Sequence, residues 1–173
     1  MSTFRRAVTV VLAAIGLPVL AQAQQGSGCA DRDVFRQMDY WAGTWEVYNG
    51  QGEKSADVTV RPILEDCALY EEWNGVDGGS DGRGMATYDT LTKEWRYFWV
   101  ADYGYVSTWT GTPVENGVRF VRTQPAPGGQ TKLRHWDLLL MDDGRIQELA
   151  RASLDGGETW EKEYELFWRP KEQ

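Results

Sequence analysis

Aromatic residues alternate with other side chains between residues 94 and 112, which read EWRYFWVADYGYVSTWTGT. Trp95, Tyr97 and Trp99 occupy every second position, so an extended backbone places all three on one face. Aromatic and β-branched residues, which favour strands, fill both halves of the stretch. The stretch therefore predicts two strands, at 94–101 and 104–112, joined by a short turn.

The same rhythm continues in both directions from this pair of strands. Asn-Gly and Asp-Gly pairs, which tight turns prefer because these residues tolerate positive φ, punctuate the chain. They occur at residues 49–50, 74–75, 116–117, 143–144 and 155–156. The runs between the turns predict ten strands, at 44–49, 55–64, 67–74, 83–89, 94–101, 104–112, 117–124, 131–141, 145–154 and 159–169.

The order of these elements predicts the fold class. Consecutive strands with short turns form an up-and-down meander, and a long meander closes on itself to remove its unpaired edges. We expect an all-β domain, a single antiparallel barrel of about 8–10 strands, with a β-sandwich as the main alternative. Val34, Phe35, Met38 and Trp41 recur at helical spacing and predict a short N-terminal helix at one end of the barrel.

The first 23 residues have the pattern of a secretory signal peptide. Arg5 and Arg6 precede an apolar run at 7–20, and residues 21–23, AQA, offer the small residues that signal peptidase reads. The apolar run is shorter than the roughly 20 residues of a membrane span, although a retained anchor is the alternative. We predict cleavage, a mature domain at 24–173, no membrane span, and a periplasmic or secreted protein.

Charge and cysteine content limit the partners and the compartment. Without Arg5 and Arg6, 16 of the 18 basic residues remain against 26 acidic ones, a net charge of −10. An acidic surface repels phosphate backbones, so a nucleic-acid partner is not expected. Cys29 and Cys67 predict one disulfide in an oxidising compartment, with two buried free thiols as the alternative.

A Gly-Thr-Trp sequence opens the first predicted strand. Residues 40–47 read YWAGTWEV, and ILEDCALYEEW, YD, KEW and DGGETW follow at 63–73, 88–89, 93–95 and 155–160. The Gly-Thr-Trp resembles the start of calycins, and the whole set resembles an exported bacterial lipocalin-like (calycin-type) family, domain of unknown function 1579. The resemblance covers about Met38 to Trp168. It implies a calycin-like barrel that binds a small apolar ligand, and it implies no catalytic residues.

The aromatic content predicts a ligand cavity inside the barrel. The chain has nine Trp residues, and Trp and Tyr combine apolar bodies with polar tips that suit a cavity lining. A solidly packed barrel is the alternative. We expect a small apolar or aromatic molecule as the partner. The predicted ligand-binding residues are Glu71, Trp73, Trp95, Tyr97, Trp99, Trp109 and His135.

Glu71 is the predicted polar anchor of this cavity. Glu71 and Glu72 are adjacent on a strand, so one points inward, and Glu71 shares its face with Leu69 and Trp73. A Glu buried among aromatic residues has a raised pKa and can serve as a general acid or base. A structural salt bridge to a strand neighbour such as Arg96 or Arg151 is the alternative.

Two other classes of function remain open at this point. One is a cofactor-free enzyme of the cyclase, isomerase or hydratase type, in which Glu71 works with Tyr88 or His135 across the cavity. The other is an envelope interaction module with a packed interior and an apolar outer patch. A carboxylate within hydrogen-bond reach of a second titratable group, both facing a pocket, favours the enzyme, whereas a Glu71 exposed on the outer wall excludes it.

His135 is the single imidazole of the chain. Resemblance to the haem-binding nitrobindins makes it a haem-ligand candidate, with Asp137 on the same face to orient it. The faces of strand 131–141 are ambiguous, because both carry apolar and charged residues. We expect no cofactor, with haem on His135 as the alternative, and no metal site, since no cluster of His and Cys could complete a tetrahedron.

Two turns resemble functional loops of other proteins. Residues 153–160, SLDGGETW, fit the Asp-box pattern, in which the Asp caps turn amides, so they predict a structural hairpin. Residues 77–82, DGGSDG, are similar to the start of a calcium loop, but Gly79 and Tyr88 stand where oxygen ligands belong. We expect a flexible loop at the barrel mouth.

Overall fold

The computed structural model describes residues 28–172, so the predicted signal peptide at 1–23 lies outside the described residues. A short helix precedes ten antiparallel strands, as the sequence predicted. The elements are α1 (Asp33–Arg36), a 3₁₀ turn (Asp39–Trp41), β1 (Gly43–Asn49), β2 (Lys54–Ile63), β3 (Ala68–Gly75), β4 (Gly82–Asp89), β5 (Glu94–Ala101), β6 (Val106–Val114), β7 (Gly117–Pro125), a 3₁₀ turn (Pro127–Gly129), β8 (Thr131–Leu140), β9 (Ile146–Ser153) and β10 (Glu161–Pro170).

The ten strands form a closed up-and-down barrel. Each strand pairs with its neighbour in sequence, and β1 closes the sheet by pairing with β10, where Trp45 lies opposite Pro170 and Asn49 opposite Leu166. Closure leaves no unpaired edge, which removes the template for aggregation that an open sheet presents. The barrel prediction is confirmed, and the sandwich alternative is wrong.

Alternation along the strands separates an inner from an outer face. On β5, Trp95 and Tyr97 are buried in the interior while Phe98 is exposed on the outer wall. On β8, Trp136 and Leu138 belong to the central core, so the alternate positions, His135 and Asp137, face outward. This resolves the ambiguity of strand 131–141. Trp136 pairs with the buried Phe120 of β7 and Ala150 of β9, so the neighbouring strands determine which face of β8 points inward.

The N-terminal segment closes one end of the barrel. Phe35 packs edge-on against Tyr88 at 5.9 Å between ring centroids, and the Trp95 indole N–H donates to Gln37 Oε1 at 3.0 Å. Trp41 is fully buried in the barrel core. We conclude that α1 and the 3₁₀ turn after it plug the end of the barrel that carries the turn between β4 and β5.

A disulfide joins the N-terminal segment to the barrel wall. Cys29 is bonded to Cys67, which immediately precedes β3, and the Cys29 amide donates to the Glu65 carbonyl at 2.8 Å. The predicted pairing is confirmed. Within residues 28–172, no helix combines the length and the apolar character needed to cross a membrane.

The Asp-box sequence forms the turn between β9 and β10. Asp155 accepts hydrogen bonds from the Ser153 hydroxyl at 2.6 Å and the Thr159 amide at 3.0 Å, and the Trp160 indole N–H donates to the Gly157 carbonyl at 3.1 Å. These hydrogen bonds stay within the turn and its flanking residues. The motif therefore has the structural role that the sequence predicted.

Candidate functional site

A cavity of about 380 Å³ lies at the end of the barrel opposite the helical plug. Its rim includes Ser80 from the β3–β4 connection, and Tyr103 and Tyr105 from the β5–β6 connection. Its walls are mostly aromatic. They include Trp73, Tyr97, Trp99, Trp109, Trp136 and Tyr164.

Five of the seven predicted ligand-binding residues line this cavity. They come from three strands, β3, β5 and β6. The five are Glu71, Trp73, Tyr97, Trp99 and Trp109. Alternation found them because each stands on the inward face of its strand.

Trp95 faces inward but lies at the plugged end. Its ring packs against Tyr88 at 5.9 Å, and its indole N–H bonds to Gln37. Trp95 is two positions from Tyr97 on the same face, yet the cavity begins above it. Alternation fixes the face of a strand but not the depth along the barrel axis, and this explains the misplaced prediction.

His135 lies on the outer wall and does not line the cavity. Its ring packs at a tilt of 40° against Trp160, with 4.3 Å between centroids, and burial lowers the pKa of the imidazole. Asp137 does not orient it, because Arg119 takes both Asp137 oxygens at 2.6 and 2.8 Å. The prediction that His135 faces the interior is therefore wrong, and a haem inside the barrel would not meet it.

Glu71 points into the barrel, as predicted. It is 3% exposed, and the Tyr97 hydroxyl donates to Glu71 Oε2 at 2.6 Å. Burial raises the pKa of Glu71 to about 8, and the nearby Glu148 charge adds to the increase. The adjacent Glu72 instead lies outside, 3.9 Å from both Arg61 and Arg83.

Neither arginine that sequence reasoning offered to Glu71 reaches it. Arg96 bonds on the outer wall to Glu94 at 2.9 Å and to the Thr110 hydroxyl at 2.7 Å. Arg151 lies opposite His135 in the β8–β9 ladder, on the outward face. The structural salt bridge considered for Glu71 is thus absent from the described residues.

Glycines on the inner face of β4 make room for the polar groups. A Cβ atom at Gly84 would lie 2.5 Å from both Glu71 Oε2 and the Tyr97 hydroxyl oxygen. A Cβ atom at Gly82 would lie 2.0 Å from the Trp99 ring. Such distances are far below van der Waals contact, so Glu71, Tyr97 and Trp99 can occupy these positions only because residues 82 and 84 are glycines.

Glu148 is a second buried carboxyl that sequence reasoning missed. It is 6% exposed, lines the cavity from β9, and accepts a hydrogen bond from the Trp168 indole N–H at 2.9 Å. Burial raises its pKa to about 7. The available signal was its position between Ile146 and Ala150, which places a Glu in the apolar series of that strand.

One side chain that lines the cavity carries a buried polar atom without a hydrogen-bond partner. Trp136 is 5% exposed and lines the site, and its indole nitrogen has no hydrogen-bond partner among residues 28–172. A buried N–H group without a partner is costly and uncommon in folded proteins. Trp136 makes no hydrogen bond of normal geometry, yet its indole N–H lies close enough to the Glu148 carboxyl to lower the pKa of that group.

Cationic side chains gather at the mouth of the barrel, around Trp109. The Arg122 and Arg134 guanidinium groups lie 4.6 and 5.3 Å from the Trp109 ring centroid. Arg134 is ion-paired with Glu163, and Arg122 donates to the Tyr105 hydroxyl at 2.7 Å. Among the described residues, no Lys, Arg or His forms an ion pair with Glu71 or Glu148.

The predicted catalytic set of Glu71, Tyr88 and His135 is not assembled. Tyr88 packs at the plugged end and His135 lies on the outer wall, whereas the groups that accompany Glu71 are Tyr97 and Glu148. Among residues 28–172, no group of three or more His, Cys, Asp or Glu side chains is arranged to hold a metal ion.

A larger depression of about 690 Å³ lies on the outer wall. Outward-facing side chains such as Met85, Phe98, Val121 and Trp160 line it, and neither buried carboxyl contributes. We regard the interior cavity as the candidate site, because it brings buried ionisable groups and an unpaired donor together.

Comparison with known proteins does not identify the chain. No family model matches it, and no curated protein matches it. The resemblance to the lipocalin-like family therefore stays a prediction that rests on the quoted motifs.

Proposed function

We propose that this protein is exported and binds a small, largely apolar molecule in the aromatic cavity of its barrel. The observation that carries the proposal is the cavity itself, which eight aromatic side chains line and whose polar groups converge on one space. Its volume lies in the lower part of the range of about 300–1,000 Å³ that small-molecule sites occupy.

The distribution of polar groups supports an oriented ligand. Apolar walls bind by removing ligand surface from water, while a few placed polar groups select its orientation. Here Glu71, Glu148 and the unpartnered Trp136 indole N–H are the groups that a bound molecule would meet. The disulfide supports the export part of the proposal, since such bonds persist in oxidising compartments.

Native mass spectrometry tests the proposal on mature protein purified from its own compartment without denaturation. Ser107→Phe fills the cavity, because Ser107 is buried and lines it. Thr108→Phe is the matched control, because Thr108 is the next residue and faces outward. We expect a discrete extra mass on the wild type and on the control, and none on Ser107→Phe. An extra mass that persists on Ser107→Phe would place the ligand elsewhere and contradict the proposal.

A second candidate function is acid–base catalysis without a cofactor. The observation in its favour is that burial raises the pKa of Glu71 to about 8 and of Glu148 to about 7, close to the pH at which such groups work best. Incubation of the recovered ligand with protein in D₂O tests it. Catalysis predicts deuterium at a carbon of the ligand with the wild type and none with Glu71→Gln, whereas a ligand that returns unlabelled from the wild type excludes proton abstraction from carbon.

A further inference from the structure

We propose that the cavity selects an organic cation: a protonated amine or quaternary ammonium group on an apolar body. This inference rests on the proposed binding function and names the chemical class of its ligand. The cation lies against Glu71 and Glu148, and the aromatic walls enclose the rest of the molecule.

Two buried carboxyl groups of the described residues lack a cationic partner. The described residues bury three carboxyl side chains, of Glu71, Asp137 and Glu148. Asp137 has its own guanidinium, because Arg119 binds it through two hydrogen bonds. Glu71 and Glu148 bond instead to the neutral donors Tyr97 and Trp168. A buried carboxyl group without a cationic partner takes up a proton, so a ligand that brings a cation can replace the proton on either of these two groups.

The walls around the two carboxyls are aromatic and attract cations. Indole and phenol faces attract cations by about 0.5–2 kcal/mol per contact, and desolvated sites give the larger values. Trp73 and Trp99 meet edge to face with 6.4 Å between centroids, and Tyr97 stacks on Trp99 at 6.5 Å, so the rings form a corner. An ammonium group with methyl or methylene substituents fits such a corner better than a hydrated inorganic ion.

An anionic ligand fits this cavity poorly. Both guanidinium groups near the cavity lie at its mouth, over Trp109. Arg134 is paired with Glu163, and Arg122, which has no ion-pair partner among the described residues, donates to the Tyr105 hydroxyl and to Gln124 Oε1. A carboxylate deeper in the cavity would approach Glu71 and Glu148, which come from walls four strands apart around the barrel. Wherever either carboxyl is ionised, it repels an anion strongly in this low-dielectric space, and an anion would raise the pKa of both groups further. A neutral ligand leaves both carboxyls protonated, and the test below distinguishes it.

Proton release is the signature of this mode of binding. Because burial raises the pKa of Glu71 and Glu148 to about 8 and about 7, a cation that ionises one of them displaces a proton. Because binding then releases one proton, the affinity rises about tenfold for each unit by which the pH increases, until the pH reaches the pKa of that group. The other titratable or charged groups around the cavity and its mouth are Tyr97, Tyr103, Tyr105, Arg122, Arg134, Glu163 and Tyr164.

A pair of probes of equal shape tests the inference on the disulfide-bonded mature protein. Phenyltrimethylammonium is the cation and tert-butylbenzene its neutral counterpart. Titrations at pH 6.0, 7.5 and 9.0, followed by Trp fluorescence and calorimetry, give both dissociation constants. At pH 7.5 we expect the cation to bind at least tenfold more tightly than the neutral probe. The affinity for the cation should rise with pH, and the affinity for the neutral probe should not.

Variants assign the preference to the two carboxyls. Glu71→Gln and Glu148→Gln keep the size of the side chain and remove its charge, and each should lower the cation-to-neutral affinity ratio at least fivefold. Glu72→Gln is the matched control, since Glu72 faces outward, and it should keep the ratio. Equal affinity for both probes would overturn the inference and leave the binding function standing. Failure of both probes to bind, together with no extra mass in native mass spectrometry, would overturn both proposals.

Discussion

Replacement of Glu71 by Gln should change how the stability of the barrel depends on pH. Burial raises the pKa of Glu71 from 4.5 to about 8, so the folded protein holds a proton that the unfolded chain releases. The contribution of this group to stability is therefore complete below about pH 4.5 and is lost as the pH rises towards 8. At about 1.4 kcal/mol per pH unit, the loss is about 3 kcal/mol at pH 7 and about 5 kcal/mol above pH 8.

Gln removes this loss because it does not titrate. Its carbonyl oxygen can accept the hydrogen bond that the Tyr97 hydroxyl gives to Glu71 at 2.6 Å. We expect Glu71→Gln to lie within about 1 kcal/mol of the wild type at pH 5 and to be more stable by about 3–5 kcal/mol at pH 9. The free energy of unfolding, from urea denaturation followed by Trp fluorescence at pH 5, 7 and 9, measures both values.

Glu72→Gln is the control for this experiment. Glu72 is adjacent in sequence, but it lies on the outer wall and 3.9 Å from Arg61 and Arg83. Exposed pairs of this kind contribute about 0–1 kcal/mol, so we expect a small change that is similar at all three pH values. Parallel stability curves for the wild type and Glu71→Gln would refute the reasoning, since Glu71 would then titrate alike in the folded and unfolded chain.

Three further predictions follow from the packing. Replacing Cys29 and Cys67 by Ala should lower the free energy of unfolding by about 4 kcal/mol, because the disulfide spans 38 residues, and urea denaturation measures the difference. Gly84→Ala should cost about 1–3 kcal/mol in the same assay and weaken cavity binding, whereas Gly50→Ala, whose Cβ meets nothing within 4 Å, should do neither. His135→Ala should leave the dissociation constant of the cavity ligand within about twofold, because His135 lies outside; a larger change in titration would contradict its placement.

The sequence alone determines the strand arrangement of this protein. Alternation and turn dipeptides are local patterns, and they predicted ten strands whose observed ends differ by at most two residues. Short connections between consecutive strands then favour a meander, and a meander of this length closes. The disulfide followed from the presence of only two cysteines, Cys29 and Cys67, in the sequence.

Alternation also determined much of the cavity lining, since the inward face of a strand is a property of its own residues. It found Glu71, Trp73 and Tyr97 on that basis. It did not give the depth of Trp95, because depth depends on where the helical plug ends. It did not give the outward position of His135 either, because Trp160, from the turn after β9, covers that ring.

Only the tertiary structure decided that two carboxyls share one cavity. Glu71 and Glu148 are 77 positions apart in the chain, and closure of the barrel brings their strands to facing walls. Their raised pKa values arise from desolvation, which is the summed effect of side chains from many strands. A local sequence pattern contains no information on this desolvation. The sequence therefore predicts which strand positions face inward, while the tertiary structure determines the pKa values of the carboxyl groups.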